Sequence, residues 1–142
     1  MNQSHYRNLE RAYLSAPIHD VYRDTVISIS EGKALIEWNV QADFHHGMGA
    51  LHGSAYFKLL DDACFFAANS LVPEVFVLTT SFDIDFLRPV KHGAVAARSE
   101  VIYSSRNLWV ARATLTDEKS RVLATGTGRF VKSTLPVPES PK

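Results

Sequence analysis

One cysteine, Cys64, stands alone in a chain of 142 residues. A single thiol closes no internal disulfide and supplies no cysteine-based zinc site, a usage that fits a reducing compartment. An excess of one charge is missing too. Fifteen basic and 15 acidic residues leave the formal net charge at zero, so neither nucleic acid nor a membrane surface is indicated as a partner. Long apolar runs are absent: the longest, Ala63 to Ala68, is far below the roughly 20 residues that cross a bilayer. The opening residues, MNQSHYRNLERAYLSAP, lack the basic-then-apolar order of a secretory signal, and no internal repeat is visible. What is present is globular in character. A hydrophobic share of 46% against 21% charged residues is enough to bury a core. A single cytoplasmic domain is expected.

Ser4 to Ser15 reads as a short amphipathic helix, with Tyr6, Leu9, Ala12 and Tyr13 on one face and Ser4 as N-cap, ended by Pro17. Val26, Ile27 and Ile29, the Glu31-Gly32 turn, and Ala34 to Val40 read as a hairpin. The segment QADFHHGMGALHG is loop. Leu51 to Ser70 reads as one long helix that is apolar almost all round, ending before Pro73. Four strands follow, over 76–87, 94–103, 108–116 and 122–132, separated by breakers; the tail TLPVPESPK is Pro-rich, extended or disordered. Short connections imply antiparallel neighbours. The predicted fold is therefore α+β, with a curled antiparallel sheet of five to six strands wrapped around one apolar helix and a short N-terminal helix beside it. The domain is expected over 1–133, with a tail over 134–142.

Two adjacent acids interrupt the apolar helix, and a helical wheel separates them. Asp61 has Phe57, Cys64, Phe65 and Ala68 around it, whereas Asp62 shares a polar stripe with Lys58 and Asn69. Asp62 and Lys58 stand at i,i+4 and read as a solvated or rim salt bridge. Asp61 needs compensation, because an isolated carboxylate on an apolar face costs several kcal/mol. It is either a buried hydrogen-bonding or dimer-contact acid, or a working one. Gly53, at the first turn, either serves the turn alone or lets a ligand approach free N–H groups at the positive end of the helix dipole. Gly53 and Asp61 lie about 12 Å apart along one helix axis, too far to share one reacting carbonyl. If both act, two antiparallel helices across a twofold axis bring Gly53 of one chain to Asp61 of the other.

The run HGSAYFKLLD, with an acid nine residues after His52, resembles the His-Gly-Gly helix motif of hotdog-fold thioesterases of the phenylacetyl-CoA thioesterase (PaaI-like) type. SFDIDFLRPVKHG and LATGTGRFVKS are similar to strands of that family, and the element order matches from about Val21 to Lys132. The resemblance implies an acyl-CoA thioesterase, acting as a homodimer or dimer of dimers with no metal or redox cofactor. It makes Asp61 the nucleophile or the general base, and the Gly53 N–H the group that polarises the thioester carbonyl. Thr79 falls where the family places a Ser or Thr that positions water, and His52 shapes the turn. The sequence departs from the family pattern at Ser54, in place of the second glycine, and at His46, where Asn or Gln is usual; an imidazole can also donate. Phe57, Phe65 and Phe82 are candidates for the acyl slot. Arg88, Lys91, Arg106 and Arg129 are candidates for the phosphates of the CoA or acyl-carrier thioester.

Other chemistries fit less well. His45, His46 and His52 cluster with Asp61, but no His-Glu-x-x-His helix exists, and LHGSAY lacks a Gly-x-Ser-x-Gly elbow. A hydratase or dehydratase on the same fold would pair His46 with an acid, and a non-catalytic acyl-CoA-binding module would bind without turnover.

Overall fold

The computed structural model describes residues 2–139. Helix α1 spans Gln3–Ser15 and is followed by a 3-10 turn over Pro17–Asp20. Strands β1 (Val26–Ser30) and β2 (Lys33–Asn39) form the expected hairpin. Its turn uses Gly32 at φ 68°, a left-handed conformation that glycine adopts without a Cβ penalty. A loop with a short 3-10 turn leads to α2, Gly53–Asn69. Strands β3 (Val75–Phe86), β4 (Ala94–Ser104), β5 (Trp109–Thr116) and β6 (Val122–Pro136) complete the chain.

All pairings are antiparallel, in the order β1-β2-β4-β5-β6-β3. Helix α2 contacts every one of the six strands, as a central helix inside a curled sheet must. Its Leu59, Leu60, Ala63, Cys64 and Ala67 are fully buried, against Ile36, Val77, Ala111 and Leu115 of the sheet. This is the hotdog architecture expected from the sequence. No described helix is long and apolar enough to cross a membrane.

Four local expectations change. Helix α1 begins one residue early, so Ser4 lies inside it; Asn2 is the N-cap, with no side-chain cap bond. Strand β6 runs on through Thr134–Pro136, and Val75 pairs with Pro136, so the first part of the predicted tail is sheet. Ser140 to Lys142 of that tail lie outside the described residues. Asn69 is fully buried rather than part of a wet stripe: its side chain donates to Val72 O and Val75 O and accepts from Val77 N–H. These bonds tie the end of α2 to the start of β3. Finally, the Lys58–Asp62 pair forms at 2.6 Å, but its side chains are only 11% and 21% exposed.

The cover over that pair is α1 and the turn behind it. Tyr13 donates its hydroxyl to Asp62 Oδ2 at 2.7 Å. Lys58 donates to the Tyr13 hydroxyl and to His19 Nε2, and its ammonium lies 4.7 Å from the centre of the Tyr22 ring. At the other side of α1, Glu10 accepts from Ile29 N–H and Arg7 donates to Ile29 O, covering the free edge of β1. Exposed strand edges attract wrong partners, and α1 closes this one.

Candidate active site

The turn before α2 is built by its own residues. His52 is the N-cap in an extended conformation, and its Nδ1 accepts from Ser54 N–H at 3.0 Å. The Ser54 hydroxyl lies 2.9 Å from the same nitrogen. Both residues therefore shape the helix start, as expected of His52. No acceptor among the described residues takes the Gly53 N–H, which opens the positive end of a 17-residue helix. A Cβ on Gly53 would sit 3.2 Å from the Phe86 ring, so a side chain here would crowd that approach. A cleft of about 350 Å³ faces this turn and is lined by His46, Gly53, Tyr56, Phe86 and Arg88 among others. Met48 N–H donates to His46 Nδ1 at 3.1 Å, which leaves the ring proton on Nε2.

Two turns along α2, Asp61 opens onto a different cleft, of about 480 Å³. That volume suits a small-molecule site. Phe65 and Phe66 of α2 and Phe76 and Leu78 of β3 make its walls apolar. Thr79 donates its hydroxyl to Asp61 Oδ1 at 2.9 Å, and Oδ2 has no protein partner among the described residues. Burial raises the Asp61 carboxyl from an ordinary 3.8 to about 6; the Thr79 hydrogen bond opposes this, Asp62 adds to it, and Lys58 opposes it. Cys64, on the next turn, is fully buried, and burial pushes its thiol up to about 12, so it is inert packing.

A β-bulge aims Thr79. The register of β3 on β6 shifts between Thr79 and Ser81. Before the shift Val77 and Thr79 turn toward α2; after it Phe82 does, packing edge-to-face on Phe57 at 5.5 Å. Bulges re-aim side chains in this way and favour sites. Phe82 lies on glycines: a Cβ on Gly126 or Gly128 would come within 2.8 Å of its ring.

The predicted residues thus fall into two groups with no cleft residue in common: Asp61, Thr79 and Phe65 in one, Gly53, His46 and Arg88 in the other. The Phe57–Phe82 pair belongs to neither wall, and α2 carries Phe57 midway between Gly53 and Asp61. Arg88 and Lys91 also line a third cleft with Lys119 and Arg121, which holds the acids Asp117 and Glu118 as well. Arg106 sits in the β4–β5 turn and lines none of these clefts. Arg129 lies 3.6 Å from Asp83. Among the described residues no three His, Cys, Asp or Glu side chains group to hold a metal: His45 Nε2 is bonded to Lys91 O, and His52 Nδ1 to the cap.

A model of the thioesterase superfamily matches residues 48–124, from the loop before Gly53 to the start of β6. The chain belongs to the thioesterase superfamily. Its curated relatives include a 1,4-dihydroxy-2-naphthoyl-CoA hydrolase of Listeria monocytogenes, 28% identical over 99 residues, covering 69% of this chain and 80% of the relative. The acyl-coenzyme A thioesterase PaaI of Escherichia coli is 28% identical over 105 residues, covering 73% and 74%. The solved structure of that PaaI protein superposes with a TM-score of 0.82 at 22% identity, over 95% of this chain and 97% of the other. The superfamily match includes Gly53, Asp61 and Thr79; α1 precedes it.

Two features of this superfamily member were not read from its sequence. One is the bulge: Val77 and Thr79 before it and Phe82 after it turn toward α2, but Phe76 and Leu78 are apolar too and mask the change of parity in the sequence. The other is the part of α1 in the Asp61 cleft, where Ala12, Tyr13 and Ala16 form a wall. Tyr13 on the apolar face of α1 was visible, but not what it covered.

Proposed function

We propose that the chain hydrolyses acyl-CoA thioesters to the free acid and CoA, with Asp61 as general base. The observation that carries this reading is Asp61 itself: a carboxylate held by Thr79 at the wall of an apolar cleft, with one oxygen free. Its proton affinity, lifted to about 6, suits proton transfer near neutral pH. Asp61 takes a proton from water, the water oxygen attacks the thioester carbon, and the carbonyl oxygen gains the negative charge. Gly53 N–H and the His46 Nε2–H stabilise that oxyanion. Collapse breaks the C–S bond, and the sulfur leaves as CoA thiolate. Arg88 and Lys91, at the Gly53 end, meet the CoA phosphates. Relatives named as acyl-CoA and naphthoyl-CoA hydrolases support the substrate class.

The site is shared between two protomers. In one chain Gly53 and Asp61 open onto separate clefts. A twofold that sets two α2 helices antiparallel would join each cleft to its complement. The outer edge of β3 supports the same assembly, because it is 12 residues long, unpaired, and flanked by exposed Phe57, Leu78 and Phe86.

Subunit mixing tests chemistry and assembly together. Asp61→Asn and Gly53→Val homodimers should each be inactive on acyl-CoA in a thiol-release assay. Unfolded and re-formed as an equal mixture, half of the dimers carry one intact site, which restores about a quarter of wild-type activity. No recovery, with dimers present by light scattering, refutes the shared site. Retained activity in Asp61→Asn refutes the chemistry. A single turnover in 18O-water that labels the Asp61 carboxylate would replace the general base with a nucleophile.

A further inference from the structure

The Asp61 cleft has a wall that comes from the far end of the chain. Ala12, in the last turn of α1, and Ala16, its C-cap residue, line the cleft together with Phe76 and Leu135. They are one turn apart, so both present the same face. Their methyl groups leave space that any larger side chain would fill. The wall is not a loosely attached helix. Leu9 is fully buried, and His5 Nε2 is bonded to Asn69 O at 2.8 Å. Tyr13, between the two alanines, packs edge-to-face on Phe66 at 5.0 Å and donates to Asp62. Glu10 holds the opposite side to β1.

We propose that α1 is the specificity wall of the acyl site, with Ala12 and Ala16 setting the size of acyl group admitted beside Asp61 and Tyr13 holding them in place. This rests on the reading of Asp61 as the catalytic carboxylate. The polar groups of the anchor are satisfied by one another: Asp62 by Lys58 and Tyr13, Lys58 also by His19. They hold the helix, and although Tyr13 and Asp62 reach the cleft, Ala12, Ala16, Phe65, Phe66, Phe76 and Leu135 keep its wall mainly apolar, as an acyl chain requires. The Tyr13 hydroxyl is engaged by Asp62 and Lys58, so Tyr13 acts as a positioning residue.

The test is the ratio of kcat/KM for a long-chain to a short-chain acyl-CoA, measured for wild type, Ala12→Leu and Ala16→Leu. Each methylene expelled from an apolar pocket is worth roughly tenfold or more, so each leucine should lower the ratio at least about tenfold. Leu135→Ala, at an exposed position that folding tolerates, should lower it about threefold or more by removing wall contact from long chains only. It keeps the test alive if a leucine variant fails to fold. Leu14→Ala, on the exposed face of α1, is the control and should leave the ratio unchanged. A purely structural role for α1 would depress both substrates alike. An unchanged ratio in Leu135→Ala and in the folded leucine variants overturns the proposal. Asp61→Asn separates the two failures: its activity tests the catalytic reading and is independent of the ratio.

Discussion

Replacing Asp61 with Asn should make the protein more stable while it destroys the activity. The carboxyl moves from an ordinary 3.8 to about 6 in the folded chain, chiefly through burial. A difference of about two pH units corresponds to roughly 3 kcal/mol between the ionised forms in the two states. Asp61 keeps part of its contact with solvent, and screening brings this to about 1–2 kcal/mol. The sign follows from linkage. Below 3.8 the group is neutral, folded or unfolded, and costs nothing. Between 3.8 and 6 the unfolded chain ionises first and gains the advantage. Above 6 both states are ionised and the native state carries the full penalty. An asparagine has no charge to desolvate, and its Oδ1 can still accept from Thr79. Urea unfolding of wild type and Asp61→Asn, at equal protomer concentration because dimer formation is linked to stability, should therefore show the variant ahead by about 1–2 kcal/mol at pH 8. The gap should narrow toward pH 4. A variant equally or less stable at pH 8, or a gap independent of pH, would refute the claim that Asp61 is held ionised against its surroundings. Such stability lost to function is common where a site needs a strained group.

The wild-type kcat/KM should fall on the acid side with an apparent pKa of about 6, as Asp61 is protonated. Thr79→Val removes the hydrogen bond that favours the ionised form, so its acid limb should move to higher pH, which a pH–rate profile would show; an unmoved limb assigns the titration to another group. Asp62→Asn should leave most of the rate per folded molecule while lowering stability by about 1–3 kcal/mol, because Lys58 is then a largely covered cation without its counter-ion. Thermal unfolding and thiol release on the same sample check both halves, and equal loss of rate in Asp61→Asn and Asp62→Asn would erase the distinction between the two acids.

What could be read from the sequence, and what could not, divides along a physical line. Periodicity reports which face of an element is apolar, and it placed α2, the hairpin and β3 to β6 within a few residues. It also singled out Asp61, because its helical neighbours Phe57, Cys64, Phe65 and Ala68 are all apolar, although in the fold only Cys64 and Ala68 of these are fully buried and Phe57 is exposed. It does not report what covers the opposite face. Lys58, Asp62 and Asn69 formed a polar stripe on the wheel, and a polar stripe ordinarily faces solvent. Here α1 returns over two of them, and the third is claimed by backbone hydrogen bonds to Val72 in the turn before β3 and to Val75 and Val77 at its start. Polarity in the sequence marked a need for partners, which water or protein can equally meet. Thr79 shows the same limit within one strand. A period of two cannot carry both Val77 and Phe82 to one face unless an extra residue is inserted between them. Phe76 and Leu78 are apolar as well, so the sequence carries no clean change of parity, and the bulge in the interval that holds Thr79 shows only in the strand register. Reading β3 as one uninterrupted strand hid the device that points the threonine at Asp61. The separation of Gly53 from Asp61 is the opposite case. It follows from 1.5 Å of rise per residue alone, needs no knowledge of side-chain partners, and agrees with two clefts that have no wall in common.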